Sequence, residues 1–300
     1  MVGEARPVAG RARRVDGVAP ASRRRVSPRR LVTGLAQQAV LLAVGVVMIA
    51  PIYFIVVTAF KTSREYGRSP WSLPANPTLE AFRTANERGD LLLWFRNSVI
   101  VASGSVLVVT LLALMTAYAI HTMRFPGRAL LRRSFIVLMM VPPIIIVIPL
   151  FVLFAGLGLV NSFLGTIVVF CGLLIPFSVF LFVSFFDSLP GEIIEAAALD
   201  GAGRFAILRQ IVVPLALPAV VTQLLVNLLF VWNELLVVLI FLQSDERKTL
   251  AAGITVFQGR FFRDTPLVMA ASLIVAAPMV LIYLLGQRAF IRGLTAGSLK

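Results

Sequence analysis

Cysteine and histidine are almost missing: the chain holds one of each, Cys171 and His121. No disulfide can form within the chain, and no zinc site built from Cys and His clusters is available. Cys171 lies inside an apolar run. His121 ends another, where it is either an interfacial residue or a member of a proton relay. Acidic residues are also scarce, 14 against 28 lysines and arginines. No GxxxxGK[ST] stretch occurs, so the chain cannot cradle ATP phosphates by that route. No nucleophile with its base, and no metal cluster, can be gathered on one surface, which argues against a membrane enzyme.

Apolar residues are abundant. They make up 59% of the 300 residues, and the mean hydropathy is +0.93. That is far too apolar for a soluble domain of this size, so the expected fold is an all-α polytopic membrane protein. The net charge of +14 would suggest nucleic acid in a soluble chain. Here it concentrates in an N-terminal tail and short loops, which fits membrane orientation, with acidic lipid headgroups rather than nucleic acid as the electrostatic partner.

Six apolar runs are long enough to be transmembrane helices. They cover about Leu35–Phe60, Asn97–Ile120, Phe135–Phe154, Leu164–Phe186, Ala219–Leu242 and Leu267–Leu285. Residues 1–34 read as a basic, disordered tail, 35–290 as the membrane domain, and 291–300 as a short second tail. The first apolar run is too long for a signal-peptide core. The arginine-rich tail either only fixes orientation or has a regulatory or lipid-binding role. Residues 61–95 and 243–264 read as polar connections, the first with a short amphipathic helix starting near Pro77. Arg124, Arg128, Arg132 and Arg133 follow the second run without an acid. Six spans put this loop, the N-terminus and the C-terminus on one side, and the positive-inside bias makes that side the cytoplasm.

A polar island interrupts the apolar runs at about 187–217. Pro190 cannot continue a helix, Glu192 and Glu195 suit a helix N-terminus, and Ala196, Ala197 and Ala198 favour helix with a low surface. Gly201 can close that helix in the left-handed conformation. A second short helix fits Arg204–Val213, with Phe205, Leu208, Ile211 and Val212 at helical spacing, ended by Pro214 and Pro218. On composition this is equally a surface loop between two membrane helices or an elbow that docks into a partner's groove. Gly201-Ala202-Gly203-Arg204-Phe205-Ala206 also fits the GxGxxA dinucleotide pattern. That pattern needs a strand before it and an acid about 20 positions on, and neither is present.

Glu195-Ala196-Ala197, Asp200-Gly201, Ile211, Pro214 and Pro218 resemble, across their whole spacing, the EAA loop of permease subunits from bacterial ABC importers. Phe60-Lys61, Asn97-Ser98, Trp232-Asn233-Glu234 and Gly293-Leu294-Thr295-Ala296-Gly297 extend the likeness to the maltose-type class of sugar importers over most of residues 35–300. The resemblance implies a bacterial inner-membrane subunit paired with a second homologous permease. A cytoplasmic ATPase dimer would hydrolyse ATP, so no cofactor is expected on this chain, and an external solute-binding protein would deliver a sugar to the loops at 61–95 and 243–264. Glu195, Ala196, Ala197, Asp200 and Gly201 become the ATPase-coupling residues: Glu195 an ion-pair partner, Ala197 and Gly201 sites of close packing, Asp200 a residue that caps or orients the turn.

Broken membrane helices often line transport sites, which singles out Pro142, Pro143 and Pro176, although proline also serves packing. Asn227 supplies an amide that can either meet sugar hydroxyls or bond a neighbouring helix. Asn233 and Glu234 lie further toward the outer end, and Phe177, Phe180 and Phe230 could stack on sugar rings. Substrates other than sugars in this reading are polyols, glycerol phosphates and peptides. A secondary transporter driven by protons or sodium is the competing reading, and Glu234 is its one acidic support.

Overall fold

The computed structural model describes residues 28–260 and 264–296, and every regular element among them is a helix. The first 27 residues, which hold most of the expected basic tail, lie outside the described residues, as do 297–300. The chain divides into two compact units, 1–51 and 52–300. The first unit contributes most of α1 (Pro28–Ala59), whose described residues 34–59 form an apolar stretch with Pro51 inside it.

In the second unit, α2 (Ser63–Arg68) and α3 (Glu80–Arg88) fill the first polar connection. Lys61, just before α2, is fully buried. Its ammonium donates to the carbonyls of Ser69 at 2.8 Å and Pro70 at 2.9 Å and reaches Ser72 Oγ at 3.4 Å. Three oxygens thus replace water around a buried charge. Lys61→Met keeps the stem and deletes those donors. We expect it to destabilise the protein by about 2 kcal/mol, read as a lower thermal midpoint in detergent.

Helix α4 (Leu91–Thr122) runs unbroken for 32 residues and packs along α7 (Phe163–Phe186). Its Ala102, Ser105, Val109, Ala113 and Ala117 are buried, while Leu107, Leu111 and Met115, four residues apart, are exposed. Small residues inside and large apolar residues outside suit a helix surrounded by lipid tails.

Between these two helices lie α5 (Arg128–Met139) and α6 (Pro143–Gly156), expected as one span but bent by 102° at their junction. Two adjacent prolines cause the break. Pro143 holds Pro142 in extended backbone, φ −60° and ψ 131°, and is itself preset for the first turn of a new helix. The polar island forms α8 (Gly191–Leu199), α9 (Arg204–Ile207), a π-turn at Leu208–Val212 and α10 (Val213–Leu215). The π-turn sits just ahead of Pro214, which has no N–H to continue the regular ladder. The island's second helix therefore passes Pro214 and ends at Leu215, and Pro218 lies in the first turn of α11 (Leu217–Asn233). The chain bends by 77° between Leu215 and Leu217.

The fifth apolar run does not continue to Leu242 as one helix. Glu234 is extended, and its Oε1 accepts from the backbone N–H groups of Leu236 at 2.9 Å and Val237 at 3.2 Å. A new helix, α12 (Leu236–Phe241), starts there. The connection expected to be merely polar contains α13 (Leu250–Arg260), which buries Leu250, Ala252 and Phe257. Finally, α14 (Thr265–Ala296) packs on α11, α3 and α13.

Four described helices are long and apolar enough to cross a membrane, or up to six spans if each bent pair counts as one. The molecule is an all-helical polytopic membrane protein.

The motif residues hold this frame together. Asn97 Nδ2 donates to the carbonyls of Glu246 at 2.8 Å and Lys248 at 2.9 Å, and Ser98 Oγ accepts from Leu250 N at 2.9 Å. Asn97-Ser98 is thus a clamp that fixes the start of α13 against α4. Trp232 Nε1 donates to Val275 O at 3.2 Å, tying α11 to α14.

Candidate functional site

Two places gather the residues singled out by sequence. The first is the elbow between α8 and α9. Its turn follows from local geometry: Ala202 N–H reaches back to Ala197 O at 3.0 Å and Gly201 N–H to Ala198 O at 3.1 Å. This is a Schellman closure with Gly201 at the left-handed position, φ +84°. A Cβ added to Gly201 would meet no described atom of this chain, so the need for glycine within the subunit is conformational rather than steric. Asp200 is the C-cap residue, set by its backbone.

Glu195, Ala196, Asp200 and Gly201 are exposed and Ala197 is half-buried. Leu199 is 89% exposed and Phe205 is 69% exposed. Phe205 therefore departs from the apolar face expected of the second helix, whose Ile207, Leu208 and Val212 turn into the core. Two large apolar side chains on a turn rimmed by acids form an uncovered contact surface. Sequence reasoning overlooked Leu199, and its place beside the closing Gly201 was the available signal.

The elbow's root is anchored by Asp187, also not foreseen. Its Oδ2 meets Arg132 at 2.6 Å and its Oδ1 lies 3.1 Å from His121 Nδ1. His121 thus joins the ends of α4, α5 and α7, and Arg128 donates to its carbonyl at 3.3 Å.

The second place is a cavity of about 280 Å³ lined by the α5–α6 break, α7 and α11. Pro143, Pro176 and Asn227 all line it, together with Phe177 and Phe230. Asn233 is not among its lining residues: it is exposed, and its amide donates to Leu229 O one turn back at 2.8 Å. Glu234, the acid an ion-coupled carrier would use, serves as the cap of α12.

A buried chain of side chains backs the cavity. Thr110 Oγ1 lies 2.6 Å from Val106 O and 2.8 Å from Gln223 Oε1, two acceptors that share its single proton. Gln223 Nε2 and Asn227 Nδ2 donate to Ser178 Oγ at 3.2 Å and 2.9 Å, and Ser178 donates to Leu174 O at 2.9 Å. This network links α4, α7 and α11 inside the apolar layer, where each polar group requires a partner. It was not visible in sequence, because single polar residues 45 or more positions apart carry no spacing signal.

Comparison with known proteins agrees with this architecture. Residues 109–294 match the family model described as binding-protein-dependent transport system inner membrane component. A melibiose/raffinose/stachyose import permease protein of Bacillus subtilis is 32% identical over 83% of this chain and 91% of its own length. A diacetylchitobiose uptake system permease protein of Streptomyces coelicolor is 30% identical over 87% and 95%. Among solved structures, a chain of a bacterial ABC transporter involved in the import of the acidic polysaccharide alginate superposes with a TM-score of 0.77 at 21% identity. It covers 88% of this chain and 99% of that one. The chain belongs to the family of inner-membrane permease components of binding-protein-dependent ABC transport systems.

Proposed function

We propose that this chain is one of two homologous permease subunits of an ATP-driven sugar importer in a bacterial inner membrane. Each bent pair counts as one span, giving six, with both termini cytoplasmic and residues 35–290 as the permease domain. An external solute-binding protein docks on the 61–95 and 243–264 connections, the second of which is held by the Asn97-Ser98 clamp. The sugar assignment is supported by relatives named for raffinose-type and chitobiose uptake. ATP is used by a separate ATPase dimer, and this chain carries no cofactor.

The observation that carries the reading is the elbow, which presents apolar Leu199 and Phe205 near Glu195 with none of the described residues covering them. The ATPase groove covers Leu199, Phe205, Ala196 and Ala197, with Glu195 paired to a basic residue at its rim. ATP-driven closure of the ATPase then moves α8, and through Asp187 the ends of α4, α5 and α7. The test is capture of the ATPase by the detergent-purified permease pair. Burying a leucine is worth about 1.5–3 kcal/mol, so Leu199→Asp should weaken capture by about tenfold or more. Glu195→Ala should weaken it less, with a loss of salt dependence. Undiminished capture by Leu199→Asp would sink the assignment of this surface.

A further inference from the structure

Residues 69–79 carry no charged side chain, and Pro70 and Pro74 have no N–H to satisfy. The carbonyls of this loop are taken up from inside the chain. The buried Lys61 donates to Ser69 O at 2.8 Å and Pro70 O at 2.9 Å, and Tyr53 Oη donates to Trp71 O at 3.0 Å. The N–H of Ala75 donates to Glu65 Oε1 at 2.5 Å. With its backbone held from within, the loop turns two large apolar side chains outward: Trp71 is 61% exposed and Leu73 is 70% exposed. Among the described residues the Trp71 indole N–H has no hydrogen-bond partner.

The depth of the loop follows from what it touches. Trp71 meets the Phe54 ring at 4.7 Å and offers its carbonyl to Tyr53. Both partners belong to α1, five and six residues before its end at Ala59. The apolar stretch of α1 has 26 residues, about 39 Å, against a hydrocarbon layer of about 30 Å. Centred on that layer, it overhangs by about 4–5 Å at each end, whereas Tyr53 lies about 9 Å back from Ala59. The loop therefore returns to the hydrocarbon boundary instead of standing out in water. Irregular backbone at that depth needs its carbonyls satisfied by the chain itself, which accounts for a buried lysine at position 61. Ile52 and Val56, on the turns around Tyr53, are exposed as well, so the apolar surface of the loop and that of the span meet at this level.

The chemistry of the patch favours lipid over protein. At this boundary acyl chains give way to esters and phosphates, where an indole keeps its ring in apolar surroundings and its N–H finds an oxygen. A soluble partner would need a polar rim, and residues 69–79 offer no charge for one. Close packing by another membrane helix favours small residues at the contact, and Trp71 and Leu73 are large.

We propose that residues 69–73 are a membrane anchor: Trp71 and Leu73 sit among phospholipids of the outer leaflet, and the indole N–H donates to an ester or phosphate oxygen. Lys61 and Tyr53 hold the backbone that presents them. The leaflet follows from the topology proposed above. The anchor fixes the outer end of α1 and leaves the charged α3 and the 243–264 connection to the binding protein.

The test is photocrosslinking in the whole complex in native membranes, with benzoylphenylalanine replacing Trp71 or, separately, Leu73. Adducts of this chain are identified by mass. Phospholipid should make up most of the adduct at both positions, and Arg83, exposed on α3, should give none when replaced in the same way. Tyr53→Phe keeps the ring and removes the bond to Trp71 O. It should lower the lipid share at position 71 by up to about fivefold, the equilibrium value of one hydrogen bond. An unchanged share would overturn the holding role of Tyr53. Crosslinks mainly to the partner permease or to the binding protein would overturn the anchor and make the loop a protein interface. Absence of any adduct would place the loop in water and overturn it equally, as would equal lipid labelling at Arg83. Uptake is not the readout, so failure here leaves the importer reading standing.

Discussion

Gly201→Trp should abolish ATP-driven uptake, lowering it by roughly a hundredfold, while the protein still inserts. Two effects add. Gly201 holds φ +84°, where an L side chain costs roughly 1–2 kcal/mol. An indole at the tip of the elbow then stands between α8 and whatever docks there, an overpacking cost of about 1–3 kcal/mol. Together these reach about 3 kcal/mol, which is roughly two orders of magnitude in an equilibrium. Two companion variants separate the terms. Gly201→Ala carries only the conformational cost, because its Cβ meets no described atom of this chain, and should lose tenfold or less. Gly201→Asn tolerates the left-handed turn and should lose least. Uptake assays on matched, membrane-inserted protein decide the order. Equal uptake in the glycine and tryptophan forms would rule out close docking at this turn.

The second large effect lies far from the elbow. Gly253 of α13 packs against the buried Trp94, and a Cβ there would fall on the ring atoms Cε3, Cζ3 and Cδ2. The indole cannot step aside. Its Nε1 donates to Asp245 O at 3.3 Å, and its ring meets Phe257 edge-on at 6.1 Å. Gly253→Val should cost about 3 kcal/mol, or roughly 6–10 °C in thermal midpoint. Trp94→Leu in the same chain should restore part of the loss, since it vacates the space that the valine needs. Simple addition of the two single effects would show that the clash is relieved elsewhere.

The elements that read most clearly from sequence are those whose cause is local. The α4 and α7 spans are long apolar runs without a proline pair; α7 begins and ends within a residue of expectation, while α4 begins six residues earlier than expected, at Leu91 rather than Asn97. Gly201 was legible because a turn needs a left-handed residue wherever it is placed. The bends were not legible: Pro142-Pro143 announces a break but not its 102° angle, which depends on what the two halves pack against. Likewise, Glu234 looked like an ionisable group within a span, and only the start of α12 shows it to be a cap. The segment 243–264 hid α13 because its buried residues Leu250, Ala252 and Phe257 are few and follow a polar stretch. Asp187, Thr110, Ser178 and Gln223 were overlooked for one reason: each finds its partner on another helix, and no single run of sequence contains the pair. Pro143 and Pro176 were chosen as prolines within apolar runs and Asn227 as an amide inside a span, and the fold brings all three to one cavity; Asn233, chosen beside Asn227, lies outside it.

Helix α4 also has a mechanical meaning. Its 32 residues make a rod of about 48 Å without an internal proline. One end is tied to the 245–250 segment by Asn97 and Ser98, and the other to Asp187 through His121. Such a rod transmits displacement instead of absorbing it. A tilt of about 5° around its midpoint carries each end some 2 Å in opposite directions, about the length of a hydrogen bond from hydrogen to acceptor. Asn97 lies about 14 Å from the midpoint and shifts by roughly 1.2 Å at that tilt, enough to lengthen the hydrogen bonds that hold the 245–250 segment.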